Sequence, residues 1–171
     1  MNALADPRVA KYLNDNFICT YLKVGAFKIV GGQKVGGNVA SYFCLGDGSV
    51  LHAIAGPTNA HTLLSEARWA SDIRKSAETH STNKLTGKVD RTKYADYLRK
   101  AHGERYHDKN GGGLWQDKKT IPVNMPRIAN QQAQTHWLLA KNPMARVETI
   151  YPVLWRQILH EELSDLPVEK R

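Results

Sequence analysis

Two hydrophobic rhythms run along the chain, and the points where one gives way to the other divide it into elements. Val9, Tyr12 and Leu13 stand at helical spacing in DPRVAKYLNDNF, and the polar run Asn14–Asp15–Asn16 stops that helix before Phe17. FICTYLKV at 17–24 is β-branched and aromatic without a breaker, which predicts a strand covered on both faces. A connection rich in glycine follows (Gly25, Gly31, Gly32, Gly36 and Gly37), and AFKIV within it reads as a short strand or extended segment. VASYFCL at 39–45 and VLHAIAG at 50–56 flank the turn Gly46–Asp47–Gly48–Ser49. An Asp-Gly pair between two such runs predicts antiparallel neighbours.

Beyond Gly56–Pro57 the period lengthens to that of a helix. Asn59 can cap a helix over about 60–77, with Leu63, Leu64, Ala67, Trp69, Ala70 and Ile73 on its apolar side. THSTNKLTGKVD at 79–90 is a polar linker. Asp90 then caps RTKYADYLRKAH, where Tyr94, Tyr97, Leu98 and Ala101 share a side. The glycine after His102 predicts a break, so 102–126 reads as loop, most flexible at Gly111–Gly113. The tail is helical from about Arg127 to Lys141. It restarts after Asn142–Pro143 with Met144, Val147, Ile150, Leu154, Ile158 and Leu159 as a stripe, which Pro152 should kink or divide.

Composition narrows the classes without choosing among them. A hydrophobic content of 42% and a charged content of 23% over 171 residues suit one real core. No apolar run approaches the roughly 20 residues of a membrane span, and no leader pattern opens the chain. As written the protein belongs in the cytoplasm; an extracytoplasmic site would follow from a start further upstream. The net charge of +8 gathers in the middle, where residues 71–127 hold thirteen Lys/Arg against seven Asp/Glu. Arg91, Lys93, Arg99, Lys100, Arg105, Lys118 and Lys119, interleaved with Tyr94, Tyr97, Tyr106 and Trp115, would suit single-stranded nucleic acid. Tyr94 and Tyr97 have helical spacing and should pack inward, so nucleic-acid binding ranks last among the readings.

Candidate chemistry is sparse. Cys19 and Cys44 each lie inside an apolar run and read as buried free thiols, too few for a disulfide scaffold or a zinc site. GGQKVGG lacks the Lys-Ser/Thr of a phosphate loop. His102, His107 and Asp108 in HGERYHD could ligate a metal, but a spacing of five is not a helical pair. HEEL at 160–163 is not HExxH, because residue 164 is Ser, and Glu161 and Glu162 read as surface charge in a last helical turn. His52, in a strand, and His61, at a helix start, read as structural. The large side chains His136, Trp137, Leu138, Leu139, Ile150, Tyr151 and Trp155 should pack the tail on the sheet or on itself. No catalytic, cofactor-binding or metal-binding residue is assigned on these grounds, and no cofactor.

The order of elements nevertheless resembles the thioredoxin-like superfamily over residues 1–75. The resemblance is carried by DPRVAKYLNDNFICTYLKV, NVASYFCLGDGSVLHAIAG and the helix HTLLSEARWASDIRK. It implies an α/β fold: an incomplete thioredoxin-like sheet (strands about 17–24, 39–45 and 50–56) flanked by helices, with a mostly helical C-terminal extension. The implied organisation is a thioredoxin-like domain at 1–77 lacking its first part, a basic linker with a helix and a glycine-rich loop at 78–126, and a helical extension at 127–171.

The resemblance also implies a Cys-x-x-Cys at the start of the first helix and a cis-proline before the hairpin. Neither is present. The proline position falls near Val39, where a non-proline cis bond would cost about 3 kcal/mol, so a trans bond is expected. Two mid-strand thiols lack the helix N-terminus that lowers a thiol pKa. The chain as it stands is therefore expected to be redox-inactive, although derived from thiol–disulfide oxidoreductases. Without the family's central strand, FICTYLKV and VASYFCL would leave a slot between them, closed by direct pairing, by another chain, or by a segment upstream in the natural protein, which is the favoured expectation. The alternative is a non-catalytic protein-binding or scaffold module that uses the open sheet edge or the C-terminal helices.

Overall fold

A computed structural model describes residues 3–23, 27–36, 38–109, 121–127, 130–163 and 169–170. The first helix, α1 (Pro7–Asn16), begins where Asp6 accepts the Arg8 N–H at 2.9 Å and Pro7 supplies a φ already suited to a helix. Its buried face is Val9 and Leu13, and the Phe17 N–H closes on the Leu13 carbonyl at 2.8 Å.

The strand expected over 17–24 is largely absent. Residues 17–21 form no ladder, Ile18 is fully exposed and Cys19 is exposed too. Only β1 (Leu22–Lys23) pairs, antiparallel to Glu169–Lys170. The physical reason is the lack of a neighbour: a strand satisfies its backbone only against another strand, and no described strand lies beside 17–21. FICTYLKV and VASYFCL do not pair with each other among the described residues.

The glycine-rich connection is a hairpin. β2 (Phe27–Val30) pairs with β3 (Gln33–Gly36), and Gly31 and Gly32 turn it at φ 58° and 78°, a conformation that glycine adopts without strain. GGQKVGG is thus mostly turn and strand.

The central hairpin follows the sequence closely. β4 (Ala40–Cys44) pairs antiparallel with β5 (Val50–Ala55), His52 lying opposite Phe43, with a bulge between Phe43 and Cys44. Asp47 accepts the Ser49 N–H at 2.9 Å in the turn. No described peptide bond is cis. β5 is buried along almost its whole length, yet no described strand covers its outer edge. Other groups satisfy that edge instead. The Val50 N–H donates to the Ala145 carbonyl at 2.9 Å, and His102 Nε2 donates to the Leu51 carbonyl at 2.8 Å. The side-chain amide of Gln132 donates to the Ala53 carbonyl at 2.8 Å and accepts the Ala55 N–H at 3.2 Å, standing in for a peptide of a neighbouring strand.

The helices wrap this hairpin. α2 (Ala60–Ser81), capped by Asn59 on the Thr62 N–H at 2.8 Å, buries Leu63, Ala67, Ala70, Ile73 and Ala77, and runs four residues past the expected end. A turn closed by pairing of Thr82 with Val89 leads to α3 (Arg91–Lys109), where Asp90 accepts the Thr92 N–H at 2.9 Å. α3 does not stop at His102. Gly103 is buried within it, and the roughly 1 kcal/mol that a mid-helix glycine costs is outweighed by packing against the helix beyond. That helix is α4 (Gln131–Lys141), capped by Asn130 and starting four residues later than Arg127. Residues 133–140 are all buried, so α4 is enclosed on every side.

After Asn142–Pro143, α5 (Val147–Val153) contains Pro152 and passes into a π-helical turn at Leu154–Ile158. Proline has no N–H to give and crowds the preceding turn, so the helix changes register as expected. Val50 and Ala53 of β5 share one core with Trp137, Leu138, Leu139, Ile150, Leu154, Trp155 and Ile158. The tail therefore packs on the hairpin. The whole is a mixed α/β arrangement in which helices predominate. No described helix is long and apolar enough to cross a membrane.

Candidate metal centre

Three histidines meet at the centre of this wrapping. His52 comes from the middle of β5, His102 from α3 and His136 from α4, and each is at most 1% exposed. Each occupies a position that its element turns inward, where periodicity calls for an apolar residue. One ring nitrogen from each lies within 4.8 Å of one from both others.

Their hydrogen bonds set the tautomers in a chain. The Leu51 carbonyl can only accept, so His102 Nε2 carries the proton and His102 Nδ1 presents a lone pair. His136 Nδ1 lies 2.9 Å from His102 Nδ1 and must therefore donate, which leaves His136 Nε2 bare. His52 Nε2 lies 2.9 Å from Glu66 Oε2 and donates to it, leaving His52 Nδ1 bare. Both His52 Nδ1 and His136 Nε2 are buried without a hydrogen-bond partner. Three neutral imidazoles thus form one buried cluster in which His102 Nδ1 accepts the His136 N–H while His52 Nδ1 and His136 Nε2 have no partner.

The electrostatics favour that neutral state. Burial, reinforced by the His52 potential, pushes His102 down to about 3. Burial also drives His136 well below its ordinary value, with His52 and His102 adding to the effect. His52 is lowered by burial, which its bond to Glu66 only partly offsets. Burial alone would raise the Glu66 carboxyl. The His52 hydrogen bond, with the Arg105 and Lys109 charges, outweighs that and holds it at about 2. Arg105 Nη1 reaches both Glu66 oxygens at 3.0 and 2.8 Å, and Lys109 Nζ reaches Oε1 at 3.3 Å.

Trp69, one turn beyond Glu66 on α2, sets its ring edge-on to all three imidazoles, and the Arg105 guanidinium lies 4.3 Å from its ring centre. His102, Arg105 and Lys109 follow one another along a single face of α3, which is why one helix supplies both a ring and the cations on Glu66.

The positions singled out from sequence scatter differently. His102 joins the cluster, whereas His107 packs on Tyr106 and Asp108 is exposed, so HGERYHD does not converge. His61 is exposed at the start of α2. Residues 160–163 are not helical. Glu162 pairs with Arg156 at 3.5 Å, and Glu161 accepts the Asn38 N–H at 3.0 Å rather than standing free as surface charge.

Several cations of the basic middle have acidic partners: Arg91 pairs with Asp47, Arg99 with Asp96, Lys100 with Glu104 and Arg105 with Glu66. Tyr94 and Tyr106 are buried, and Tyr97 packs at a tilt against His80. Gly111–Gly113, Trp115, Lys118 and Lys119 lie outside the described residues.

Both thiols are free, and neither is fully buried. Burial pushes Cys44 up to about 11, with the Glu148 and Asp47 charges adding to it.

Sequence reasoning took His52 as structural and His136 as packing, and it did not single out Glu66. The signal available was the recurrence of histidine at apolar-face positions in VLHAIAG, YLRKAHG and THWLLA.

No family model, no curated protein and no solved structure matches this chain. The fold and the site must therefore carry the functional argument.

Proposed function

We propose that this protein binds a transition-metal ion through His52, His102 and His136, without catalysing a reaction. The observation that carries this reading is the set of three neutral, buried imidazoles with ligating atoms within 4.8 Å of one another. Around a tetrahedral ion with metal–nitrogen bonds of about 2.0–2.1 Å, such atoms sit about 3.4 Å apart, so capture needs side-chain shifts on the order of 1 Å together with loss of the hydrogen bond from His136 to His102. Imidazole donors suit zinc, copper, nickel or iron. The Glu66 carboxylate on His52 and the Leu51 carbonyl on His102 are the outer partners that metal-bound histidines commonly keep. Full burial leaves no room for an organic substrate at the ion, which supports binding rather than turnover.

Titration of metal-free protein with Zn(II), Ni(II) and Cu(I), followed by desalting and elemental analysis, tests the reading. One equivalent of at least one ion is expected to stay with the wild type and to be lost from His102→Gln and His136→Gln. Retention by both variants, or binding of none of the ions, would overturn it.

A second reading keeps the thioredoxin-like ancestry, with no thiol chemistry in this chain. It is supported by the order of β4, the Asp47–Gly48 turn, β5 and a packed helix, and by a Cys44 thiol that stays protonated at neutral pH. An insulin-reduction assay should show no turnover; measurable activity would remove it.

A further inference from the structure

We infer that the ion held by this site is monovalent copper, Cu(I), with the Trp69 indole standing where a fourth ligand would otherwise bind. The inference rests on the metal-binding reading above and narrows it to one ion.

The geometry of the four rings comes first. The imidazole centres of His52, His102 and His136 are 5.9, 5.2 and 5.2 Å apart. The Trp69 ring lies 4.7, 5.2 and 5.5 Å from those of His52, His102 and His136. Four rings so spaced mark the corners of a nearly regular tetrahedron. A coordinated imidazole places its ring centre about 3.2 Å from the ion, so two ligands at the tetrahedral angle have centres about 5.2 Å apart. His136 already has that spacing from both of the others, and His52 and His102 stand wider at 5.9 Å. The fourth corner is filled by an indole, which offers a π-system and an N–H but no lone pair. Zn(II) completes its shell with four donors. Cu(I), a closed-shell soft ion, accepts three.

Charge points the same way. The acid hydrogen-bonded to the cluster, Glu66, is shared by Arg105 and Lys109, so the groups around the three neutral rings carry a net positive charge. The cost of burying an ion rises with the square of its charge, so a monovalent ion is penalised about one quarter as much as a divalent one. Repulsion from Arg105 and Lys109 is halved as well.

The route to the site also runs past Trp69. Its ring and Arg105 form part of the wall of a surface cleft that includes His61, Arg68 and Asp72. Trp69 therefore touches both that cleft and the three imidazoles.

The test is a competition carried out without oxygen. Metal-free protein is given Cu(I) as its acetonitrile complex or Zn(II) as its chloride, each against a colorimetric chelator of known affinity. The expected result is one equivalent of Cu(I), bound at least about tenfold more tightly than Zn(II). X-ray absorption should show three nitrogen donors and no water, with quenching of tryptophan emission that is lost in Trp69→Phe. Trp69→Ala should open the fourth position and narrow the gap by raising Zn(II) affinity. Should Trp69→Ala fail to fold, the coordination number of the wild type decides. Tighter Zn(II) binding, or four donors around Cu(I), would overturn the inference and leave the metal-binding function intact. Binding of neither ion would overturn the inference, and failure of Ni(II) as well would remove the metal-binding function with it.

Discussion

Glu66 is the residue on which the centre turns, because three partners depend on its one carboxylate. His52 needs it as an acceptor, Arg105 and Lys109 need it as a counter-charge, and it is almost wholly buried. Replacing it by alanine leaves cations facing an apolar interior, so Glu66→Ala should cost about 3–5 kcal/mol in urea unfolding. Glu66→Gln, which can still accept from His52, should cost less. A loss under about 1 kcal/mol for the alanine variant would mean that the network adds little to folding. At Cys44 the expected behaviour is a pH dependence. Its thiol is raised, so the reactive thiolate is scarce at pH 8 and grows until the pH reaches about 11. Alkylation followed by mass spectrometry should therefore label exposed Cys19 first, with the Cys44 rate climbing steadily with pH. A Cys44 rate that levels off near pH 8 would contradict this. None of these pairings is visible in the chain: Glu66 and Arg105 are thirty-nine residues apart, and only folding puts them at 2.8 Å.

At the level of elements, the hairpin and the caps are local and were legible. Asp47–Gly48 between two β-branched runs, Asn59 before one helix and Asp90 before another all do what their chemistry predicts. The elements that departed from expectation did so for tertiary reasons. Residues 17–21 have β propensity but no neighbouring strand, and Gly103 sits in a helix because packing outweighs its propensity. Gln132 is the sharpest case, a side chain that completes the edge of β5. Gln132→Ala should strand the Ala53 carbonyl and the Ala55 N–H and cost about 1–3 kcal/mol. Gln132→Glu keeps the acceptor and loses the donor, so its midpoint should fall between the wild type and the alanine variant. Equal midpoints for all three proteins would show that water replaces the amide without loss.

For the whole molecule, the prediction concerns stability under metal. An ion bound only by the folded state raises stability by about 2.7 kcal/mol when its free concentration is 100 times the dissociation constant. Thermal unfolding should therefore shift upward with Cu(I), return on chelation, and not shift in His136→Gln. A shift of equal size in that variant would place the metal elsewhere. The sequence by itself determined the helix caps, the central hairpin, the inward faces of α1 and α2 and the interruption at Pro152, because each follows from chemistry within a few residues. The tertiary structure alone decided that three histidines more than thirty residues apart share one buried cluster, and that a glutamate, two cations and a tryptophan pack around it. Their meeting depends on how β5, α2, α3 and α4 pack together, and the spacing of residues along one chain carries no measure of that.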